Sequence, residues 1–270
     1  MRKARKELPI PFAGMMGRII AFIYGLFSYA MFLIAFLYAI GFVGNVVVPK
    51  SIGSGSQGPL GHALLVNTLL LGLFAVPHSI MAREWFKKLW TRIVPEPVER
   101  STYVLGTSLL LGLLFSQWEP IRMVVWNLEY PTVQLVLNGL FWGGWSVVLL
   151  STFVIDHFDL FGLRQVYLYL RGRTYTPVEF RVPVLYRIVR HPLMLGFMIA
   201  FWATPKMTLG HLLFAGATTA YIFIGILLEE RDLLRAHGGD YEEYRQRTRM
   251  IIPVPKKRQS SDSRTRAGEL

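Results

Sequence analysis

Four stretches of this chain are too long and too apolar to be left in water. Ile19–Val43, His62–Ala82, Ser101–Trp118 and Thr132–Ile155 each run without a single Asp, Glu, Lys or Arg. A helix rises about 1.5 Å per residue, so about 20 residues cross the ~30 Å hydrocarbon core of a bilayer. Within that core a helix satisfies every backbone N–H and C=O internally. Two further apolar stretches follow, Pro192–Thr204 and Thr208–Leu228. The first would reach only about 20 Å as a helix. It therefore starts inside the protein or forms a hairpin with the second. The expected fold is all-α: a polytopic integral membrane protein with five or six transmembrane helical segments, the last two forming a helical hairpin. Ile19–Val43 is too long for the apolar region of a signal peptide and lacks a small-residue cleavage site, so it reads as an uncleaved first span.

The 270 residues are 53% hydrophobic, with a mean hydropathy of +0.39. That excludes an ordinary soluble domain. The absence of cysteine excludes a disulfide framework, a thiolate metal site and a cysteine nucleophile. The net charge is +12, and its placement is uneven. Arg2, Lys3, Arg5 and Lys6 precede the first span. Arg83, Lys87, Lys88, Arg92 and Arg100 follow the second, and Arg164, Arg171, Arg173, Arg181, Arg187 and Arg190 follow the fourth. The loops after the first and third spans hold only Lys50 and Arg122. This alternation predicts that both termini are cytoplasmic. The charge suits anionic membrane lipids; no nucleic-acid motif accompanies it, so no nucleic-acid partner is expected. Residues 1–255 read as one membrane-embedded domain, and 256–270 as a disordered basic tail.

The residues capable of chemistry fall on the basic side. Arg190-His191-Pro192 opens an apolar segment, and Gly196 follows. Proline suits the first position of a helix, whose free N–H groups and positive dipole end seat an anion. Glu229-Glu230 ends the next apolar segment. Adjacent helical side chains point about 100° apart, so these do not form a catalytic pair: one turns inward, and the other faces water or pairs with Arg231 or Arg235. Tyr241 and Tyr244 share a helical face. Asp156-His157-Phe158-Asp159, followed by Arg164-Gln165, emerges where the fourth span ends, and His78 lies in the second span beside Pro77. Each has a plainer reading: headgroup solvation for Arg190, His191, His157 and Arg164, local pairing for the glutamates, interfacial packing for the tyrosines, and a helix cap for Asp156. His62 and His211 read as interfacial and His237 as solvated. No metal-ligand spacing is present, so no metal is expected, and no GxGxxG motif follows a strand.

The order Arg-His-Pro, Gly four residues on, Glu-Glu, Tyr-x-x-Tyr and Ile252-Pro253 resembles the isoprenylcysteine carboxyl methyltransferase superfamily of integral membrane methyltransferases. Within it, residues from about Arg18 to Pro253 are similar to the bacterial small-thiol branch. Tyr38-Ala-Ile-Gly-Phe-Val-Gly-Asn45, Val48-Pro-Lys-Ser51, Glu99-Arg-Ser-Thr-Tyr-Val104, Asp156–Gln165 and Phe201-Trp-Ala-Thr-Pro205 carry that closer likeness. One departure is Met194, where the family often has Tyr. The resemblance implies an enzyme of the bacterial inner membrane that methylates a small volatile thiol, methanethiol, with S-adenosylmethionine as donor. It assigns donor binding to about 186–253, through Arg190, His191, Gly196, Glu229, Glu230, Tyr241 and Tyr244. Thiol methylation is a direct displacement by thiolate, which needs a base or cation beside the sulfur. His78, His157 or Asp159 would take the proton, and Arg164 would stabilise the anion or orient the base. The alternatives are another acceptor, such as a prenylcysteine carboxylate, a lipid amine or a different small thiol, or a non-enzymatic membrane protein of similar fold.

Overall fold

The computed structural model describes residues 14–177 and 182–253. The basic N-terminal residues, Arg181 and the tail expected at 256–270 lie outside them. Helix α1 (Met15–Gly44) is followed by α2 (Leu60–Met81), a short α3 (Glu84–Trp90) and α4 (Glu96–Gln117). Strand β1 (Val124–Asn127) leads to α5 (Pro131–Ile155), the one-turn α6 (His157–Leu160), α7 (Leu163–Leu170) and α8 (Val184–Ile188). The chain ends with α9 (Pro192–Trp202), β2 (Lys206–Thr208) and α10 (Leu209–Arg247).

Among the described residues, α1, α2, α5 and α10 are the four helices long and apolar enough to cross a membrane. Five or six were expected. Helix α4 has the length, but Ser101, Thr102, Thr107, Ser108 and Ser116 dilute its apolar character. Helix α9 has 11 residues, about 16 Å. Its main partner is α5 rather than α10. The two helices meet at Gly144 and Gly196, where a methyl group on either glycine would lie 2.7 Å from the opposing backbone. Such approach needs small residues. Elsewhere α1 packs on α4 and α7, and α2 on α4 and α10.

Sequence explains where the helices stop. Asn45 closes α1 in the left-handed conformation (φ 53°), and its N–H returns to the Gly41 carbonyl. Proline stands in the first turn of α4, α5 and α9. Thr208 caps α10 through His211 N–H. Leu209–Arg247 is continuous except at Gly238, where φ 51° and ψ −120° break the helical course. The apolar segment thus runs on as helix past Glu229 and Glu230, and Gly238 separates it from a second helical stretch that carries Tyr241 and Tyr244.

The chain reverses at each connection, which gives the bundle two ends. At the loop end, β1 and β2 pair antiparallel, a small sheet within an otherwise helical fold. Asn67 Nδ2 donates to the Glu119 carbonyl at 2.7 Å, and Glu119 N–H donates back at 2.9 Å. Phe42, Trp118, Trp145, Phe201 and Phe214 fill the core behind them. His211, expected to be interfacial, is buried there and bonds the Phe201 carbonyl at 2.9 Å. The opposite end, where α2, α5 and the inner part of α10 terminate or turn, carries most of the arginines.

Candidate active site

The charged end gathers most of the C-terminal motif into one network. Pro192 starts α9, so His191 stands at its N-cap. The backbone before it runs alongside the returning C-terminal segment: Arg190 N–H donates to Arg249 O at 2.8 Å and His191 N–H to Met250 O at 3.1 Å. Arg190 is buried and donates through Nε (2.8 Å) and Nη2 (2.6 Å) to Glu230 Oε1. Its Nη1 donates to the carbonyls of Arg245 and Thr248. His191 Nε2 lies 3.1 Å from the same Glu230 oxygen. One of the two glutamates does turn inward: the Glu230 side chain is 9% exposed and that of Glu229 49%. Of the two readings for the outer glutamate, Glu229 faces water, with Oε2 3.6 Å from His191 Nδ1, and Arg235 meets Asp232. Tyr241 is buried against Tyr244, ring centroids 5.8 Å apart. Tyr244 donates to the Tyr186 carbonyl; burial and the nearby Glu229 carboxylate push the Tyr186 phenol well up. A hollow of about 430 Å³ opens beside this network, lined by Leu227, Glu230, Arg231, Leu234, Arg235 and Arg245. Gly196 instead sits at the α5–α9 crossing described above.

The Asp156–Gln165 group forms a separate, self-satisfied cluster. His157 is buried, with Nδ1 2.8 Å from Thr152 Oγ1 and Nε2 2.8 Å from Tyr29 Oη. Its ring stacks on Phe153 at 4.2 Å, and burial pushes its pKa down. Asp156 caps α6 through Asp159 N–H. Asp159 Oδ1 accepts from Arg164 (2.9 Å) and Gln165, and Oδ2 from Tyr175 (3.2 Å). Both ring nitrogens of His157 and both oxygens of Asp159 are thus engaged within the protein.

His78 lies apart from both groups, between α2, α4 and α10. Tyr103 Oη is 3.0 Å from its Nε2, Thr107 Oγ1 is 3.2 Å from its Nδ1, and Phe74 stacks on the ring. Just beyond, Ser79 Oγ meets Tyr221 Oη at 3.0 Å, and Arg83 donates to Asp232 at 2.7 Å.

No family model matches the chain, and no solved structure matches it. Curated relatives do. A methanethiol S-methyltransferase of Mycobacterium tuberculosis is 55% identical over 240 residues, 89% of this chain and 98% of the relative. One from Crocosphaera subtropica is 52% identical over 88% of this chain and 93% of the relative. Methanethiol S-methyltransferase 1 of Bradyrhizobium diazoefficiens is 52% identical over 87% and 83%. The chain belongs to the methanethiol S-methyltransferase family. In this member of the methanethiol S-methyltransferases, Met194 packs with Leu195 and Met198 against Ile222, Ile226 and Ile251 between α9 and α10. Tyr103, Thr107 and Tyr221 were missed in the sequence. Their signal was faint: polar side chains within otherwise apolar helices, two of them four residues apart on one face.

Proposed function

We propose that this chain transfers a methyl group from S-adenosylmethionine to methanethiol and releases dimethyl sulfide. The observation that carries the reading is the 55% identity to a methanethiol S-methyltransferase across nearly its whole length. The protein is a multi-pass protein of the bacterial inner membrane with both termini cytoplasmic, and α4 and α9 join the four long apolar helices as membrane segments. Residues 1–255 act as one domain in contact with membrane lipids, and 186–253 hold the donor. The basic loops at the charged end support this orientation.

The residues fit such a donor. Glu229 keeps an exposed carboxylate beside buried His191, able to accept from hydroxyl or ammonium groups. Arg190 is held by four hydrogen-bonding contacts and in turn fixes Glu230. The adjoining hollow lies in the usual size range of small-molecule sites, and its arginines suit a carboxylate. Tyr241 and Tyr244 close the network from the returning helix. When bound, the donor supplies an electrophilic methyl group on a sulfonium. The protein's task is to orient the thiol, exclude water and remove the thiol proton. A cysteine-like thiol has a pKa of about 8.5 and simple alkanethiols lie higher, so little thiolate exists near neutrality. His157 and Asp159 are already engaged, which favours His78 as the proton acceptor. Selection by pocket size gains only about 1–3 kcal/mol per methylene, so other small thiols and selenols are expected to react more slowly.

The test is headspace gas chromatography of purified protein in detergent, supplied with S-adenosylmethionine and methanethiol. Dimethyl sulfide with equimolar S-adenosylhomocysteine is the expected outcome. Turnover of a prenylcysteine or a lipid amine, with no dimethyl sulfide, would overturn the acceptor. Failure to bind the donor at all would remove the enzymatic reading.

A further inference from the structure

We propose that Tyr103 is a catalytic residue of thiol methylation: its hydroxyl relays the thiol proton to His78, between α2, α4 and α10. This rests on the thiol-methylating reading above.

An ionisable residue inside a span is costly unless it is paired or used. His78 is part-buried with two polar neighbours, both from α4. Tyr103 Oη reaches both ring nitrogens, 3.1 Å from Nδ1 and 3.0 Å from Nε2, while Thr107 Oγ1 reaches Nδ1 alone. With the proton on Nδ1, donating to Thr107 Oγ1, Nε2 is bare and accepts from Tyr103 Oη at 3.0 Å. A proton delivered to the Tyr103 oxygen can therefore pass through to the imidazole without moving either side chain. The surroundings suit a very small apolar acceptor. Phe74 covers one face of the imidazole. Beside the pair the helix surfaces are bare: a methyl group on Gly106 would meet only Met81 at 4.0 Å, and one on Gly225 would meet nothing within 4 Å.

The Tyr103–His78 pair also lies on the correct side of α10. Tyr221, Gly225 and Glu229 recur at every fourth residue, so they run along one side of that helix. Ser79–Tyr221 and Arg83–Asp232 fix that side against α2. The step from Tyr221 to Glu229 is about 12 Å along the axis. Glu229 is also the carboxylate beside His191. A donor anchored at Glu229 thus has the bare surface at Gly225 between it and the Tyr103–His78 pair.

The step balances as follows. The thiol S–H bond breaks and its proton goes to the Tyr103 oxygen, while the Tyr103 proton passes to His78 Nε2. The sulfur lone pair forms the new S–CH3 bond. The donor's sulfonium C–S bond breaks, and its electron pair stays on the departing thioether sulfur. The products are dimethyl sulfide, S-adenosylhomocysteine and one proton, which His78 returns to water. The charged and titratable groups around the pair are Arg83 after α2, Glu99 and Arg100 on α4, and Tyr221 on α10. Arg83 is neutralised by Asp232.

The experiment compares Tyr103→Phe with the parent protein between pH 7 and pH 10, measuring dimethyl sulfide by gas chromatography and donor binding by calorimetry. At pH 7 the variant should bind S-adenosylmethionine like the parent and lose roughly 100-fold in kcat, the usual scale of general acid–base catalysis. The deficit should shrink as rising pH ionises the thiol in solution. Methaneselenol, which ionises more readily, should be methylated by parent and variant at similar rates already at pH 7. A deficit of equal size at all pH values and with the selenol would make Tyr103 structural and overturn the proposal. So would loss of donor binding in the variant, or parent-like turnover of methanethiol at pH 7. A parent protein that makes no dimethyl sulfide would instead remove the functional reading beneath it, because parent and variant would then be silent alike.

Discussion

At the scale of single residues, the structure separates side chains that sequence had grouped by their chemistry. His157 and Asp159 each read as a candidate base with Arg164 beside them; in the structure their polar atoms are engaged by Tyr29, Thr152, Arg164, Gln165 and Tyr175. His157 ties α1 to α5 through Tyr29, which lies 128 positions away in sequence, and no spacing rule could have revealed that. Burial lowers the pKa of His157, so folding favours its neutral form. The sign follows: with the folded pKa below the ordinary value of about 6.5, stability is full above that value and falls as pH drops below it. Thermal melts of the detergent-solubilised protein should show Tm decreasing between pH 7 and pH 5, with a flatter curve for His157→Asn. Asp159→Asn strips a charged acceptor from Arg164, Gln165 and Tyr175. It should cost about 1–3 kcal/mol of stability, read as a lower Tm, with donor affinity unchanged. The motif around Arg190 was the more legible part. Short-range cues placed His191 at a helix start and one glutamate inward. They did not show that Arg190 spends its hydrogen bonds on Glu230 and two carbonyls.

At the scale of elements, the apolar runs marked the long helices well, because length and absence of charge suffice to name a bilayer-crossing segment. They marked α4 and α9 less well. Two hydroxyls of α4 serve neighbouring helices: Thr102 meets Tyr24 of α1 and Thr107 meets His78 of α2. The brevity of α9 is tolerable because it lies against α5. Helix α5 carries Gly139, Gly143 and Gly144, and only its partner α9 shows which one matters. Gly144→Ala would drive a methyl group into the α9 backbone at 2.7 Å, whereas Gly143→Ala meets nothing within 4 Å. Overpacking of this kind costs about 1–3 kcal/mol. The first substitution should lower Tm and the yield of monodisperse protein, and the second should leave both as in the parent.

At the scale of the whole molecule, charge and polar packing are divided between the two ends. The basic end holds the Arg190–Glu230 network and, one helix away, His78 with Tyr103 and Thr107. Phosphatase fused within residues 53–58 should be active and a fluorescent protein fused after Pro253 should fluoresce, since the first needs the extracytoplasmic side and the second the cytoplasm. The opposite result for either fusion would invert the proposed orientation. The loop end has another consequence. There, Asn67 and Glu119 clasp α2 to the chain after α4, β1 pairs with β2, and Trp118, Ile121 and Met207 are buried behind them. With this end closed by packed side chains, the mechanism proposed above has a proton taken from the thiol at His78 leave on the side from which the charged donor arrives. Every ion entering or leaving the reaction then uses the same face of the membrane, and the neutral product diffuses through the lipid. The proposed reaction would then be electrically silent: a voltage imposed across proteoliposomes should neither drive it nor slow it.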